Sequence, residues 1–203
     1  MMFKLGTRDI MDIFLTRNFN KVYLILQKVT TVHPYGNFTY QLRFNEGNPT
    51  NLDGDNNLDK EEVNVTNDTE AKLIDKTFIL VGPEYTPLLP VVDYIRTIIQ
   101  AGVKRTGSTN GNVYITKAIL RLGYADVNGI FAQKKTKTIN INFSTNSTDY
   151  QLISLQAWFD YFSVPENYLF AFNVQLYGKK ATTQSGKMKL CFSRGSFDSY
   201  VEF

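Results

Sequence analysis

The sequence predicts an α+β fold in which two or three helices pack on one face of an antiparallel-rich sheet. Several segments alternate apolar and polar residues as a half-buried strand does, and others have the spacing of helices. Strands and helices do not follow a regular βαβ order, which argues against a parallel sheet. A β-sandwich is the alternative. With 203 residues, of which 43% are hydrophobic, the chain predicts a single domain over residues 1–203.

Strands are predicted where apolar side chains recur at every second position. The segments KVYLILQKVTTV (21–32) and FTYQLRF (38–44) flank a turn with Pro34 and Gly36, and together they predict a β-hairpin. Residues 113–131 are ambiguous between a strand and a short helix. Further strands are predicted at residues 73–80, 134–144, 170–176 and 188–192.

Helices are predicted at three places. Thr7 and Asp9 begin a short one that ends near Leu15. A second ends where Gly102 stands at the position of a C-terminal cap, and a third runs from the N-terminal cap Asp149 to Pro165. The apolar residues at helical spacing are Val91, Ile95, Ile98 and Ile99 in the second helix and Leu152, Leu155, Phe159 and Phe162 in the third.

Residues 45–72 are rich in Asn, Asp, Glu, Gly and Thr and predict a long acidic loop or insertion. Within them, NLDGDNNLDKEE (51–62) resembles the twelve-residue calcium loop of EF-hand proteins. Oxygen-bearing side chains fall at the ligand positions of that loop. The calcium ligands that this resemblance implies are Asn51, Asp53, Asp55, Asn57, Asp59 and Glu62.

The match departs from the EF-hand pattern at three points. Asn51 replaces the first aspartate, Asn56 replaces the usual glycine, and the flanking segments lack the two helices of an EF-hand. The alternative interpretation is a solvated polar loop. If residues 51–62 bind an ion as the resemblance implies, calcium is the one cofactor that the sequence suggests.

The scarcity of histidine and cysteine excludes most catalytic chemistry. His33 is the only histidine and lies in a turn-like TVHPYGN segment, and Cys191 is the only cysteine. Nucleophilic triads and transition-metal sites need several such residues close together. The sequence therefore predicts that the protein is not an enzyme.

Charge is distributed unevenly along the chain. Residues 1–101 contain 10 Lys and Arg against 13 Asp and Glu, whereas residues 102–203 contain 12 against 6. The basic half predicts contact with an acidic surface or with nucleic acid, and lysines that only protect strand edges are the alternative. The candidate contact residues are Lys134, Lys135, Lys137, Lys179, Lys180, Lys187, Lys189 and Arg194.

These features predict a structural subunit that assembles with copies of itself, with the acidic half of one copy against the basic half of the next. The chain is rich in Phe, Tyr, Asn and Thr, and long polar loops separate its strands. In that overall composition it resembles virion proteins of tailed bacteriophages, such as head-tail connector, collar and tail-ring subunits. The resemblance implies a ring-shaped oligomer, other structural proteins as partners, and DNA as a possible contact.

Residues 1–203 contain no apolar run long enough for a membrane-spanning helix, and the N-terminal segment does not resemble a signal peptide. The sequence therefore predicts assembly in the host cytoplasm and residence in a virion. A function of another class is also consistent with the sequence: a β-rich ligand-binding module that recognises calcium or carbohydrate.

Overall fold

The computed structural model describes residues 24–29, 39–44, 60–80, 94–108, 111–126, 129–165, 168–182, 185–191 and 199–202. These residues form eleven β-strands and contain no helix. The strands are β1 (Leu24–Val29), β2 (Thr39–Phe44), β3 (Lys60–Val65), β4 (Ala71–Leu80), β5 (Tyr94–Arg105), β6 (Val113–Ala125), β7 (Phe131–Thr145), β8 (Gln151–Asp160), β9 (Leu169–Lys180), β10 (Gly186–Cys191) and β11 (Tyr200–Glu202). No described segment is a helix of the length and hydropathy that crossing a membrane requires.

Ten of the strands follow one hydrogen-bonded path in the order β3-β10-β5-β11-β2-β1-β4-β9-β6-β7, and β8 pairs with β5. Neighbouring strands are antiparallel, except that β1 is parallel to β4. Strands β10 and β11 pair with successive parts of β5, and β8 pairs along most of the same strand, so β8 occupies the other edge of β5.

The core lies between two layers of strands. Phe78, Phe170 and Phe172 come from the layer of β4, β9, β6 and β7, and Ile99 and Phe159 come from the layer of β3, β10, β5 and β8. Their burial in one cluster shows that the path folds back on itself, as in a sandwich. Large aromatic and β-branched side chains suit this packing because each buries a large apolar area.

The predicted α+β fold is wrong, and the β-sandwich alternative describes the structure better. The predicted second helix is part of β5, in which Ile95, Thr97, Ile99, Ala101 and Val103 all face the core. Ile98, on the opposite face, is buried as well. The outer face is otherwise mixed, since Tyr94, Arg96 and Gln100 also lie on it. Buried Ile95, Ile98 and Ile99 therefore have the spacing of one helix face, and periodicity over so short a segment cannot distinguish a strand from a helix.

The predicted third helix is β8 and also has the period of a strand. Leu155, Ala157 and Phe159 are buried, whereas Gln156 and Trp158 between them are exposed. Leu155 and Phe159 fit both periods, since positions four apart share a face in either structure. Ala157, midway between them, is also buried, as the two-residue period of a strand requires and a helix does not.

The predicted helix caps have other roles. Gly102 lies within β5, and a Cβ atom there would come 2.3 Å from Leu152 Cδ2, so glycine lets this side chain cross the strand. Asp149 belongs to the turn before β8, where its backbone N–H donates to Ser147 Oγ. The helix predicted from Thr7 to Leu15 lies outside the described residues.

The structure confirms the strand predictions with clear alternation. Strands β1 and β2 form the predicted hairpin, and β4, β7, β9 and β10 lie where strands were expected. The ambiguous segment from residue 113 forms β6. Strand β3 lies inside the polar 45–72 stretch and pairs with β10 over six residues, while residues 45–59 lie outside the described part.

Candidate interaction surface on β5, β7 and β8

Trp158 projects from the outer face of the β5–β8 pair. In the register of these strands, Trp158 lies opposite Arg96 and Gln156 lies opposite Ile98. Because side chains alternate between the two faces of a sheet, the burial of Leu155, Ala157 and Phe159 in the core places Trp158 outside. Trp158, which is the only tryptophan of the chain, is 52% exposed.

Polar contacts hold the indole in one orientation. The Arg96 guanidinium carbon lies 5.3 Å from the ring centroid. With its amide oxygen turned toward these groups, Gln156 accepts hydrogen bonds from Trp158 Nε1 at 2.9 Å and from Arg96 Nε at 3.0 Å. Arg96 Nη1 lies 3.3 Å from Glu202 Oε2. The exposed tryptophan is thus fixed by its neighbours, as preorganised binding residues are.

Further exposed groups surround the indole. Tyr94, two residues before Arg96 on β5, is 59% exposed. Asp160 follows Trp158 on the same face of β8, and its side chain is 81% exposed. We call the set Tyr94, Arg96, Gln156, Trp158, Asp160 and Glu202 the Trp158 surface.

Strands β7 and β8 run alongside each other at one flank of the sandwich. Residues 146–150 join them at one end, and at the other Lys135 Nζ lies 3.8 Å from Asp160 Oδ2. The two strands belong to different layers and do not pair with each other. Within the described residues, each therefore has one edge without a strand partner.

The unpaired edges differ in charge. Strand β7 contains Lys134, Lys135 and Lys137 and no acid. The short β3, whose one partner among the described strands is β10, begins Lys-Glu-Glu. Strand β8 carries no charge from Gln151 to Phe159. Natural sheets commonly protect their edges with charged residues, lysine above all. By this criterion β8 is the unprotected edge.

The structure separates the predicted basic residues into two groups. Lys134, Lys135 and Lys137 pair near residues 120–122 of β6, whereas Lys179 and Lys180 pair at residues 113–114. That separation along β6 is roughly 20 to 25 Å at the rise of a strand. Lys187 and Lys189 lie on β10, just after the chain leaves Lys180, and Arg194 lies outside the described residues.

Most of these lysines contact their own chain. Lys187 Nζ lies 2.6 Å from Glu62 Oε1, and Lys180 Nζ donates to the Thr182 carbonyl at 3.2 Å. Lys134, Lys179 and Lys189 lie over tyrosine rings, namely Tyr124 at 5.1 Å, Tyr114 at 5.4 Å and Tyr150 at 4.1 Å. Such contacts contribute about 0.5–1 kcal/mol each at exposed sites. No sequence signal indicated them, because the strand partners are far apart along the chain.

Glu62, the last of the predicted calcium ligands, lies on β3 beside this basic group. Its carboxylate accepts hydrogen bonds from Lys187 and from the Tyr150 hydroxyl. Burial, followed by the hydrogen bond to Glu62 and the charge of Glu62, raises the pKa of Tyr150, so the hydroxyl remains a donor. The other predicted ligands, Asn51, Asp53, Asp55, Asn57 and Asp59, lie outside the described residues, as does His33.

The described residues contain no group of three or more His, Cys, Asp and Glu side chains that is suited to a metal ion. Cys191 is buried at the end of β10. Buried thiols of this kind act as small apolar residues.

No protein family and no curated protein matches the sequence. Among the solved structures with some similarity are those of infectious bursal disease virus. They include the Gt strain (TM-score 0.35, 7% identity, 71% of this chain and 38% of that chain), derived T=1 particles (0.35, 8%, 70% and 35%) and a VP2 subviral particle (0.34, 8%, 70% and 36%). This chain spans little more than a third of their length. TM-scores of this size do not establish a shared overall fold.

Proposed function

We propose that this protein is a non-enzymatic structural subunit that assembles with other copies of itself, and that the copies meet at the edge of β8. One observation carries the proposal. Strand β8 is ten residues long, has one edge without a partner among the described strands, and is uncharged from Gln151 to Phe159. An added strand would form main-chain hydrogen bonds along that edge.

The charges of the other edges support β8 as the contact. The lysines of β7 repel the same strand of a second copy, and β3 is short and carries three charged residues. Asp160 is the only charged residue of β8 and stands at its end, so a strand laid on β8 meets no charge before it. A second copy of the chain is the partner to which we commit.

The finer form of the proposal is a ring, collar or connector subunit of a tailed-bacteriophage virion. If β8 accepts a different segment of the next copy, the contact is heterologous, and heterologous contacts close into a ring when the rotation between copies permits. Such a subunit would assemble in the host cytoplasm and bind other structural proteins. A single, discrete oligomer mass in native mass spectrometry is the result expected of a ring.

Sedimentation of the full chain over a wide range of concentrations tests the role of β8. We expect oligomers, and we expect Ser154→Lys, which places a charge on the exposed face of β8, to shift them toward the monomer. Thr138→Lys adds the same charge to the exposed face of β7 and should leave association unchanged. Circular dichroism checks that both variants keep the β-sheet spectrum. A chain that stays monomeric at every concentration would refute self-assembly, whereas oligomers that persist in Ser154→Lys would refute only the β8 contact.

A further inference from the structure

A second property follows from the Trp158 surface and does not depend on self-assembly. The geometry points to a binding site for a neutral saccharide, in which one pyranose ring stacks on the indole of Trp158. The indole is half exposed and held in place by Arg96 and Gln156. Since Arg96 lies over one face of the ring, a ligand would stack on the other face.

The groups beside the indole suit the hydroxyls of a sugar. Gln156 and Asp160 lie two residues to either side of Trp158 on the same exposed face, about 7 Å away at the rise of a strand. When the Gln156 oxygen faces Trp158 and Arg96, its Nε2 group points away from them as a donor, and the Asp160 carboxylate is an acceptor. A sugar ring matches this pattern because it has an apolar C–H face and a rim of hydroxyls that donate and accept.

The charges of the surface favour a neutral ligand. Arg96 lies 3.3 Å from Glu202, and Asp160 lies 3.8 Å from Lys135. Each charge therefore has an opposite charge beside it, which leaves no excess positive charge for a phosphate or a sulfate. A nucleic acid stacked on Trp158 would bring its phosphates toward the Asp160 and Glu202 carboxylates.

A protein partner fits the surface less well than a sugar. Trp, Tyr and Arg are also frequent in protein interfaces, but there the anchors fill apolar pockets and acidic residues are depleted from the centre. Here Trp158 is bordered by Arg96, Gln156 and Asp160, and Tyr94 is the exposed aromatic residue nearby. Aromatic stacking combined with planar polar groups is the chemistry that recognises a saccharide.

The fluorescence of Trp158 offers a direct test, because the full chain contains no other tryptophan. The probes are the neutral hexasaccharides of maltose, cellulose and chitin type, with heparin and a single-stranded oligonucleotide as polyanions. We expect at least one neutral hexasaccharide to produce a saturable change in fluorescence, and neither polyanion to do so. If only a polyanion does, or if no hexasaccharide does, the proposal is overturned.

Calorimetry with the responding hexasaccharide assigns the site to residues. Trp158→Ala should weaken binding up to about tenfold, in line with the loss of one aromatic stacking contact. Trp158→Phe should retain part of the affinity, and Gln156→Ala should reduce it. Tyr168→Ala removes an exposed aromatic side chain elsewhere and serves as the matched control. Unchanged affinity in Trp158→Ala would overturn the site, and sedimentation of the same variant separates this outcome from any effect on assembly.

Discussion

Asn173 of β9 donates a hydrogen bond of 2.9 Å from its side-chain amide to Oδ1 of Asp75 on the neighbouring strand β4. Gln175 donates a second hydrogen bond, also of 2.9 Å, to Oδ2 of the same carboxylate, and Lys72 forms an ion pair with it. Asn173 and Gln175 are only 4% and 3% exposed, although they project from the outer face of β9. These hydrogen bonds link β9 to β4 and satisfy the buried N–H donor groups of both amide side chains.

The network makes stability depend on pH through Asp75. Burial is the largest single influence and raises the pKa, but the hydrogen bonds from Asn173, Lys72 and Gln175 together outweigh it and hold the pKa of Asp75 below its usual value. A carboxyl whose pKa is lowered by folding stabilises the protein above its unfolded pKa of about 4, and the contribution is lost as the pH falls through the folded pKa.

Asp75→Asn should therefore lower the free energy of unfolding by about 1 kcal/mol at pH 7, after allowance for the partial exposure of the side chain. The amide cannot accept hydrogen bonds at both of its terminal atoms. Urea unfolding at pH 7 and below pH 4 checks this, since the deficit should shrink in acid. Asp149→Asn, at an exposed turn, is the control. A deficit that does not change with pH would contradict the assignment.

Gly123 marks a second sensitive point, where β6 and β7 approach closely. The register passes from Leu122 opposite Lys135 to Gly123 opposite Gln133, so Lys134 is an extra residue on β7. A Cβ atom on Gly123 would lie 2.0 Å from the Ala132 carbonyl oxygen. Gly123→Ala should lower the free energy of unfolding by about 3 kcal/mol, at the upper end of overpacking effects. Equilibrium urea unfolding measures this change in free energy. An unchanged midpoint would show that β6 and β7 can separate at this point without loss of stability.

Strands were predictable from the sequence where one face of the strand is exposed to solvent. Strand β7 shows this most clearly, since Ile139, Ile141 and Phe143 alternate with exposed Asn140 and Asn142. Strand β5 was not predictable from periodicity, because Ile98 on its outer face is buried next to Ile99 on its inner face, which breaks the alternation of a strand. Its many β-branched residues were the available signal.

The Trp158 surface could have been found in part from sequence. Once β8 is taken as a strand, the alternation of Leu155, Ala157 and Phe159 places Trp158 on the opposite face. The contacts of Trp158 with Arg96 depend on a β5–β8 pairing between segments about sixty residues apart, which no local pattern encodes. For the same reason, the sequence could not predict that Lys189 lies over the ring of Tyr150.

The lysines of β7 should control association in a way that depends on charge. Lys135 and Lys137 lie opposite the core residues Leu122 and Leu120, so their Cβ atoms are on the core-facing side of β7. Inward-pointing charges at the edge of a sheet oppose pairing with another strand. Replacing Lys134, Lys135 and Lys137 with threonine should increase non-specific association, measured by light scattering. Replacing them with glutamate keeps the edge charged and should preserve solubility. Loss of a defined oligomer on this reversal would show instead that the lysines contact an acidic surface of another copy.

Calcium binding by residues 51–62 stays a prediction that calorimetry can test. Participation of Glu62 would require its carboxylate to leave Lys187, so we expect weak binding that strengthens in Lys187→Met. Asp149→Asn, which changes a carboxylate outside the loop, is the control. No heat above buffer in either the parent chain or Lys187→Met would exclude the site.

Nucleic-acid binding by the basic half should be weak and strongly dependent on salt. The lysine groups of β7 and of the β9–β10 region lie roughly 20 to 25 Å apart, at opposite ends of β6. Lys187 and Lys189 already contact Glu62 and Tyr150. Few phosphates can therefore be neutralised together, and the slope of log affinity against log salt should correspond to only about two or three contacts.

Filter binding with single- and double-stranded DNA measures the slope, with Lys187→Gln as the test variant and Lys76→Gln on β4 as the control. A slope corresponding to six or more contacts, reduced by about one in Lys187→Gln, would show that DNA displaces these internal partners and binds across the basic half.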